Sequence, residues 1–213
     1  MKIKKVIDIT RRIHTDMVIW PGDRSVTIKR EALIKNGNVC NLSSIEMGLH
    51  TGTHIDAPFH FIDEGCDIAS LDISKYIGNA KVFEVKSRKA VTAGDLENLA
   101  INENDIILFK TANSNLPEDC KFARGFVYLD ESAANYLVSK KVKSVGIDYL
   151  AIDKFDSSDH PAHHILLGNN IGIMESLLLK DVPEGEYFLS CLPLKITGVD
   201  GSPVRAVLLE IEG

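Results

Sequence analysis

The sequence predicts an α/β domain with a mixed, strand-rich sheet and a few flanking helices, and three observations predict it. Apolar runs of strand length outnumber runs with a helical period. Strand-like and helix-like segments alternate through the middle of the chain, as in a layered fold. The length of 213 residues, with 45% hydrophobic and 25% charged residues, suits one domain over residues 1–213. A chain of this length buries a full core without disulfide or metal staples.

The elements follow in order. Lys5–Thr10 reads as a strand, and Trp20-Pro21-Gly22-Asp23 as a tight turn. Val26, Ile28 and the run to Ile34 suggest a second strand, and Asn36-Gly37-Asn38 is a hairpin-type turn signal. Ile45, Met47 and Leu49 alternate with Ser44, Glu46, Gly48 and His50, which predicts a half-buried strand over 43–50. Lys81–Lys86 and Asp105–Lys110 are strand-like, with Thr92-Ala93-Gly94-Asp95 between them capping a short helix through Leu99. Phe126–Leu129 is strand-like. Asp130 N-caps a helix over Glu131–Lys140 that buries Ala134, Leu137 and Val138. Ser144–Asp148, Tyr187–Cys191 and Val204–Glu210 complete the strands.

Composition excludes several classes. With 24 Lys and Arg against 30 Asp and Glu, the net charge of −6 does not suit a nucleic-acid binder working through a basic face. No apolar run approaches ~18 residues, so no membrane-crossing helix is expected. Met1-Lys-Ile-Lys-Lys is basic, but Asp8, Arg11, Arg12 and His14 stand where a signal core would lie, and a cytoplasmic protein is expected. Cys40, Cys66, Cys120 and Cys191 form no CxxC pair, so they read as small, reduced, partly buried side chains. Cys66 lies nearest to the chemistry below.

That chemistry is carried by histidine. His50, His54 and His60 fall within eleven residues, and His160, His163 and His164 within five. Asp56 lies inside the first group. Imidazole with carboxylate suits zinc, manganese, iron or cobalt. The spacings of 4, 2 and 4 are all even, so an extended segment points these side chains to one face. Gly52, the β-branched Thr51 and Thr53, and Pro58 argue against a helix. A straight strand would separate His50 and His54 by about 13 Å. A bent extended segment is therefore expected, distorted at Gly52–Thr53. In the second group, apolar neighbours draw at least one histidine inward, and Pro161 fixes a kink. Glu175, inside Ile171–Leu179, needs a cation, either a basic side chain or a metal.

His50-x-Gly52-Thr53-His54-x-Asp56-x-x-x-His60 resembles the signature of the cyclase-like metal-dependent hydrolases, which include bacterial kynurenine formamidases. The resemblance extends to Trp20-Pro21-Gly22-Asp23, Gly146-Ile147-Asp148, Ala162-His163-His164 with Glu175 twelve residues after His163, Leu192-Pro193-Leu194-Lys195 and Ser202-Pro203-Val204-Arg205-Ala206. It implies a swivelling β/β/α fold and a homodimer or larger homo-oligomer. It implies that His50, His54 and Asp56 bind a first metal, and that Asp56 and Glu175 bridge to a second held by His163. It further implies His60 as the acid/base and Trp20 as a substrate contact. The segment before His163, with His160 and Pro161, resembles the broader cyclase group more than the formamidases alone.

The implied cofactor is a divalent ion, Zn2+ or Mn2+, with one or two per chain. The first functional reading is hydrolysis of a small-molecule amide, N-formyl-L-kynurenine, to L-kynurenine and formate. Another cyclic or aromatic acyl substrate, such as an isatin-like lactam, is the second. A non-catalytic metal-binding protein is the third, and His60, a histidine beyond the ligand set, separates it from the other two. No Gly-x-Ser-x-Gly elbow and no Gly-x-Gly-x-x-Gly motif occurs, so acyl-serine chemistry and a Rossmann site are unsupported.

Overall fold

The computed structural model describes residues 2–118 and 121–212; Cys120 lies outside the described residues. The strands are β1 (Lys2–Asp8), β2 (Thr27–Ala32), β3 (Leu42–Glu46), β4 (His54–Asp56), β5 (Ile77–Glu84), β6 (Ala90–Val91), β7 (Ile106–Lys110), β8 (Tyr128–Leu129), β9 (Ser144–Ile147), β10 (Gly172–Glu175), β11 (Gly185–Pro193) and β12 (Gly201–Glu212). The α-helices are α1 (Ala93–Leu96), α2 (Glu131–Ser139) and α3 (Pro161–Gly168). The main sheet runs β1-β12-β11-β5-β7-β9-β10-β4, and β4 pairs back onto β12, so seven of its strands close into a barrel. Strands β5, β7, β9 and β10 are parallel, while β11, β12 and β4 join antiparallel. The strand-rich α/β class expected from the sequence is the observed one, and closure adds what the strand pattern did not reveal.

Strand alternation sorts the core into two bodies. Ile55, Ile106, Leu108, Met174, Leu189, Ala206 and Leu208 fill the barrel. Ile107, Phe109, Val145, Ile147 and Ile173 face outward against α2 and α3, meeting Ala133, Leu137, Ala162 and Leu166. Each fully buried Ile, Leu or Phe contributes about 1.5–3 kcal/mol. Gly146 faces a closely packed part of the barrel: a Cβ there would lie 2.5 Å from Leu177 Cδ1.

Several boundaries differ from expectation. The helix at 93 is one turn, ending at Leu96 rather than Leu99, with Asp95 accepting from the Thr92 amide at 2.8 Å. Asp130 does cap α2, accepting from the Ala133 amide at 3.0 Å. Pro161 begins a helix instead of kinking the chain, because the first helical position needs no amide donor. The segment 43–50 is a strand only over Leu42–Glu46, and it is exposed rather than half-buried. It pairs with β2 alone, so Ile28, Leu42 and Ile45 have no layer of their own chain to cover them. Cys40 and Cys66 are exposed; among the described residues only Cys191 is a buried cysteine, in the barrel.

Candidate metal centre

Strand β4 supplies the heart of the site. Ile55 points into the barrel, so His54 and Asp56 face the helix layer. In register beside them on β10 stands Glu175, opposite His54. Helix α3 packs on that face and brings in His163 from its first turn. His50 precedes β4 by a turn rather than a straight strand, and Gly52, at φ +69°, makes the bend. That is the distortion the spacing required. A side chain at Gly52 would enter the left-handed region and press within 3.3 Å of Ile13.

The polar atoms converge. His54 Nε2 lies 3.4 Å from Asp56 Oδ1 and 3.2 Å from Glu175 Oε2. His163 Nε2 lies 3.3 Å from Asp56 Oδ2 and 3.2 Å from Glu175 Oε1. His50 Nδ1 lies 2.8 Å from Asp56 Oδ1. Among the described residues four three-residue groups have their ligand-type atoms within 4.8 Å of one another; besides His50–His60–Asp200 and Asp153–His160–His163 there are two that share Asp56, His50–His54–Asp56 and Asp56–His163–Glu175. His160 and His164 stay outside both sets.

This donor set fits divalent cations. His54 Nε2 and Asp56 Oδ2 are buried with no hydrogen-bond partner, the condition a metal relieves. The second ring nitrogens of two histidines are already engaged. His54 Nδ1 is 2.9 Å from the Gly52 carbonyl, and His163 Nδ1 is 2.6 Å from Asp153 Oδ2. Such outer contacts fix the tautomer and leave Nε2 free to ligate. Glu175 Oε1 also accepts from the Ile152 amide at 2.6 Å. Burial opposes the charged imidazolium, yet the carboxylates outweigh it. Asp56 and Asp200 hold His50 raised to about 9, Asp56 and Glu175 raise His54 to about 10, and Asp153, Asp56 and Glu175 hold His163 well above its usual range. Burial would raise Asp56, but His50, His163 and His54 keep it well below the usual carboxylate range.

His60 differs. It follows Pro58 in a single 3-10 turn and stacks on His50, with ring centroids 4.0 Å apart. Burial lowers its pKa, and the neighbouring His50 and His163 add to that against Asp56 and Glu175. A neutral imidazole beside a metal centre can accept a proton. Trp20, half-buried, lines the same cavity as His50, His60, His163 and Glu175. Phe122, in a T-shaped contact at 5.1 Å between centroids, and Phe155, tilted at 5.3 Å, hold its ring.

Two carboxylates here escaped the sequence reading. Asp153 orients His163, and Asp200 Oδ2 sits 2.9 Å from His50 Nε2 and 3.4 Å from His60 Nδ1. The bond from His50 holds Asp200 down to about 2. Neither lies in a spacing pattern; only the recurrence of aspartate beside ligating histidines could have flagged them.

The family described as "Putative cyclase" matches residues 7–154, more than half of the chain. The chain belongs to the cyclase family. A kynurenine formamidase of Bacillus mycoides is 34% identical over 211 residues, spanning 99% of this chain and 100% of the relative. A solved structure described as a potential metal-dependent hydrolase with cyclase activity is 36% identical, with a TM-score of 0.86 over 98% of this chain and 99% of the other. Isatin hydrolase A from Labrenzia aggregata, 22% identical with a TM-score of 0.84 over 98% and 94% of the two chains, shares the fold. As a cyclase-family protein with this donor set, the chain is a metal-dependent hydrolase.

Proposed function

We propose that this cyclase-family hydrolase is an arylformamidase that converts N-formyl-L-kynurenine and water to L-kynurenine and formate. The observation that carries this reading is one cavity of about 300 Å3 that joins the carboxylate–imidazole centre to His60 and Trp20. His50, His54 and Asp56 would hold one divalent ion; Asp56, Glu175 and His163 would hold a second. Zinc suits this set, with manganese as the alternative. Bound there, the cation supplies Lewis acidity, which brings the pKa of water from ~15.7 to about 7 and polarises a carbonyl.

The chain's own residues do the rest. Trp20 offers a ring face to the aryl group, fixed by its aromatic neighbours. A proton on His60 Nδ1 faces Asp200, which leaves Nε2 to take a proton from the attacking water. The water oxygen bonds to the formyl carbon, and His60 returns the proton to the aryl nitrogen as the C–N bond breaks, so the arylamine leaves neutral and the formic acid left behind releases its proton to solvent as formate. Full-length similarity to a kynurenine formamidase supports the choice of leaving group. A cytoplasmic location and assembly into a homodimer or larger homo-oligomer belong to the same proposal.

The test is turnover of N-formyl-L-kynurenine by metal-analysed protein. Activity should vanish on chelation and return with zinc or manganese. Metal-replete protein that leaves N-formyl-L-kynurenine intact while opening isatin would move the site to lactam hydrolysis.

A further inference from the structure

The cavity at the metal centre holds two charged side chains that the centre does not use. Asp23 and Lys154 both line it, and both are exposed at its mouth. Neither side chain forms an ion pair or side-chain hydrogen bond among the described residues. The cavity's other carboxylates are committed: Asp153 to His163, and Glu175 to His54, His163 and the Ile152 amide. An acid and a base without partners in the chain, both lining one cavity, leave two opposite charges available to a ligand.

Both charges are anchored to parts of the site with assigned places. Asp23 closes the turn that carries Trp20, its amide donating to the Trp20 carbonyl at 3.0 Å. Lys154 directly follows Asp153, the carboxylate that orients His163. A ligand whose ring lies on Trp20 and whose scissile carbonyl reaches the centre occupies the cavity that both of them line. The complement of one free anion and one free cation is a zwitterion, and ionised hydrogen bonds are the strong and selective ones.

We propose that Asp23 and Lys154 recognise the α-amino acid group of the substrate, Asp23 taking the ammonium and Lys154 the carboxylate. The site would thereby select aromatic amides with a free amino-acid tail over neutral ones. The inference deepens the arylformamidase reading and rests on it for the reaction, though not for the charge complementarity.

The test compares kcat/KM for N-formyl-L-kynurenine and for formanilide, which lacks the tail, on metal-loaded wild type, Lys154→Ala, Lys154→Arg and Asp23→Ala. The ratio of tailed to neutral substrate should fall about tenfold in each alanine variant, through KM, as for loss of a charge-assisted hydrogen bond. Lys154→Arg should restore most of it. A ratio unchanged in both alanine variants overturns the proposal while leaving the formamidase reading intact. If wild type turns over neither substrate, the formamidase reading falls, and calorimetric binding of L-kynurenine to the same proteins decides the pair. Binding about tenfold weaker in the alanine variants supports it; equal or absent binding overturns it.

Discussion

His54 carries its Nδ1 on the Gly52 carbonyl and turns Nε2, which has no hydrogen-bond partner, toward two carboxylates. His60 makes no such commitment, and the two kinds of histidine should respond differently to replacement. His60→Ala should lower kcat by ~10²–10⁴ while metal content and melting temperature hold. Glu175→Gln should lose one metal equivalent and most activity together. Metal analysis beside kcat separates the two, and a joint loss of metal in His60→Ala would make His60 a ligand. Protonation supplies a second prediction. In the metal-free chain His50 and His54 titrate near 9 and 10, above the unfolded value near 6.5. Their contribution to stability is complete below 6.5 and is lost as pH rises through 9 to 10. Metal-free protein should therefore melt progressively lower from pH 7 to 10. Metal needs the neutral imidazoles, so loading at pH 7 should release protons and tighten as pH rises. Calorimetry in two buffers of different ionisation heat reads this directly; identical heats would contradict it. The candidate metal-binding run was legible because His50, His54 and Asp56, with His60 beside them, fall within eleven residues. Asp200 was not, because it reaches His50 across 150 positions.

Among elements, α3 shows where sequence reading stops. Pro161 in its His-Pro-Ala-His-His start points to a kink if proline is taken only as a breaker of helix interiors, whereas here it occupies the first helical position, where it fits. Strand β4 has three residues, too few for a pattern, and yet the even spacing of His54 and Asp56 was enough to put them on one face. Glycine at 201 is an element-level requirement as well. Gly201 pairs with Asp56 across β12 and β4, and a Cβ there would lie 2.6 Å from His50 Cε1. Gly201→Ala should push the His50 ring aside and weaken metal binding about 10–100-fold, as other disturbances behind a ligand do. Competition with a chromophoric chelator measures it, and unchanged affinity would mean that His50 is no ligand. The β2–β3 hairpin was legible as strands but not as exposed ones. Leu42 and Ile45 are more than half exposed, and Val39 near its tip wholly so. The alternation anticipates a covering surface that this chain does not supply, and a second copy is the proposed one. Light scattering should give at least twice the chain mass, and Leu42→Glu with Ile45→Glu should shift it toward the monomer. A monomeric wild type would remove the proposal.

Across the whole molecule, no helix among the described residues is long and apolar enough to cross a membrane. Strands β5, β7 and β9 were legible as apolar runs of strand length; β10 was not, because Ile171–Leu179 is a long apolar run with no period to set a strand within it. Barrel closure was not, because the strand that makes it is also the shortest in the main sheet. Between β10 and β12 the ring is joined only through His54–Asp56. The backbone there has few ladder bonds, and the side chains on it are the ones that gather toward Glu175 on β10 and His163 on α3. A cation held among them would act as a rivet through the weakest joint of the ring. Cofactor loss and mechanical loosening then become one event. Deuterium should enter the amides of Ile55, Ala57 and Ser202 faster once chelator is added, while those of β7 and β9 keep their pace. A protein kept short of its divalent ion would then be vulnerable to proteases at this seam first, and cellular supply of the ion would govern how long each copy survives as well as how fast it works.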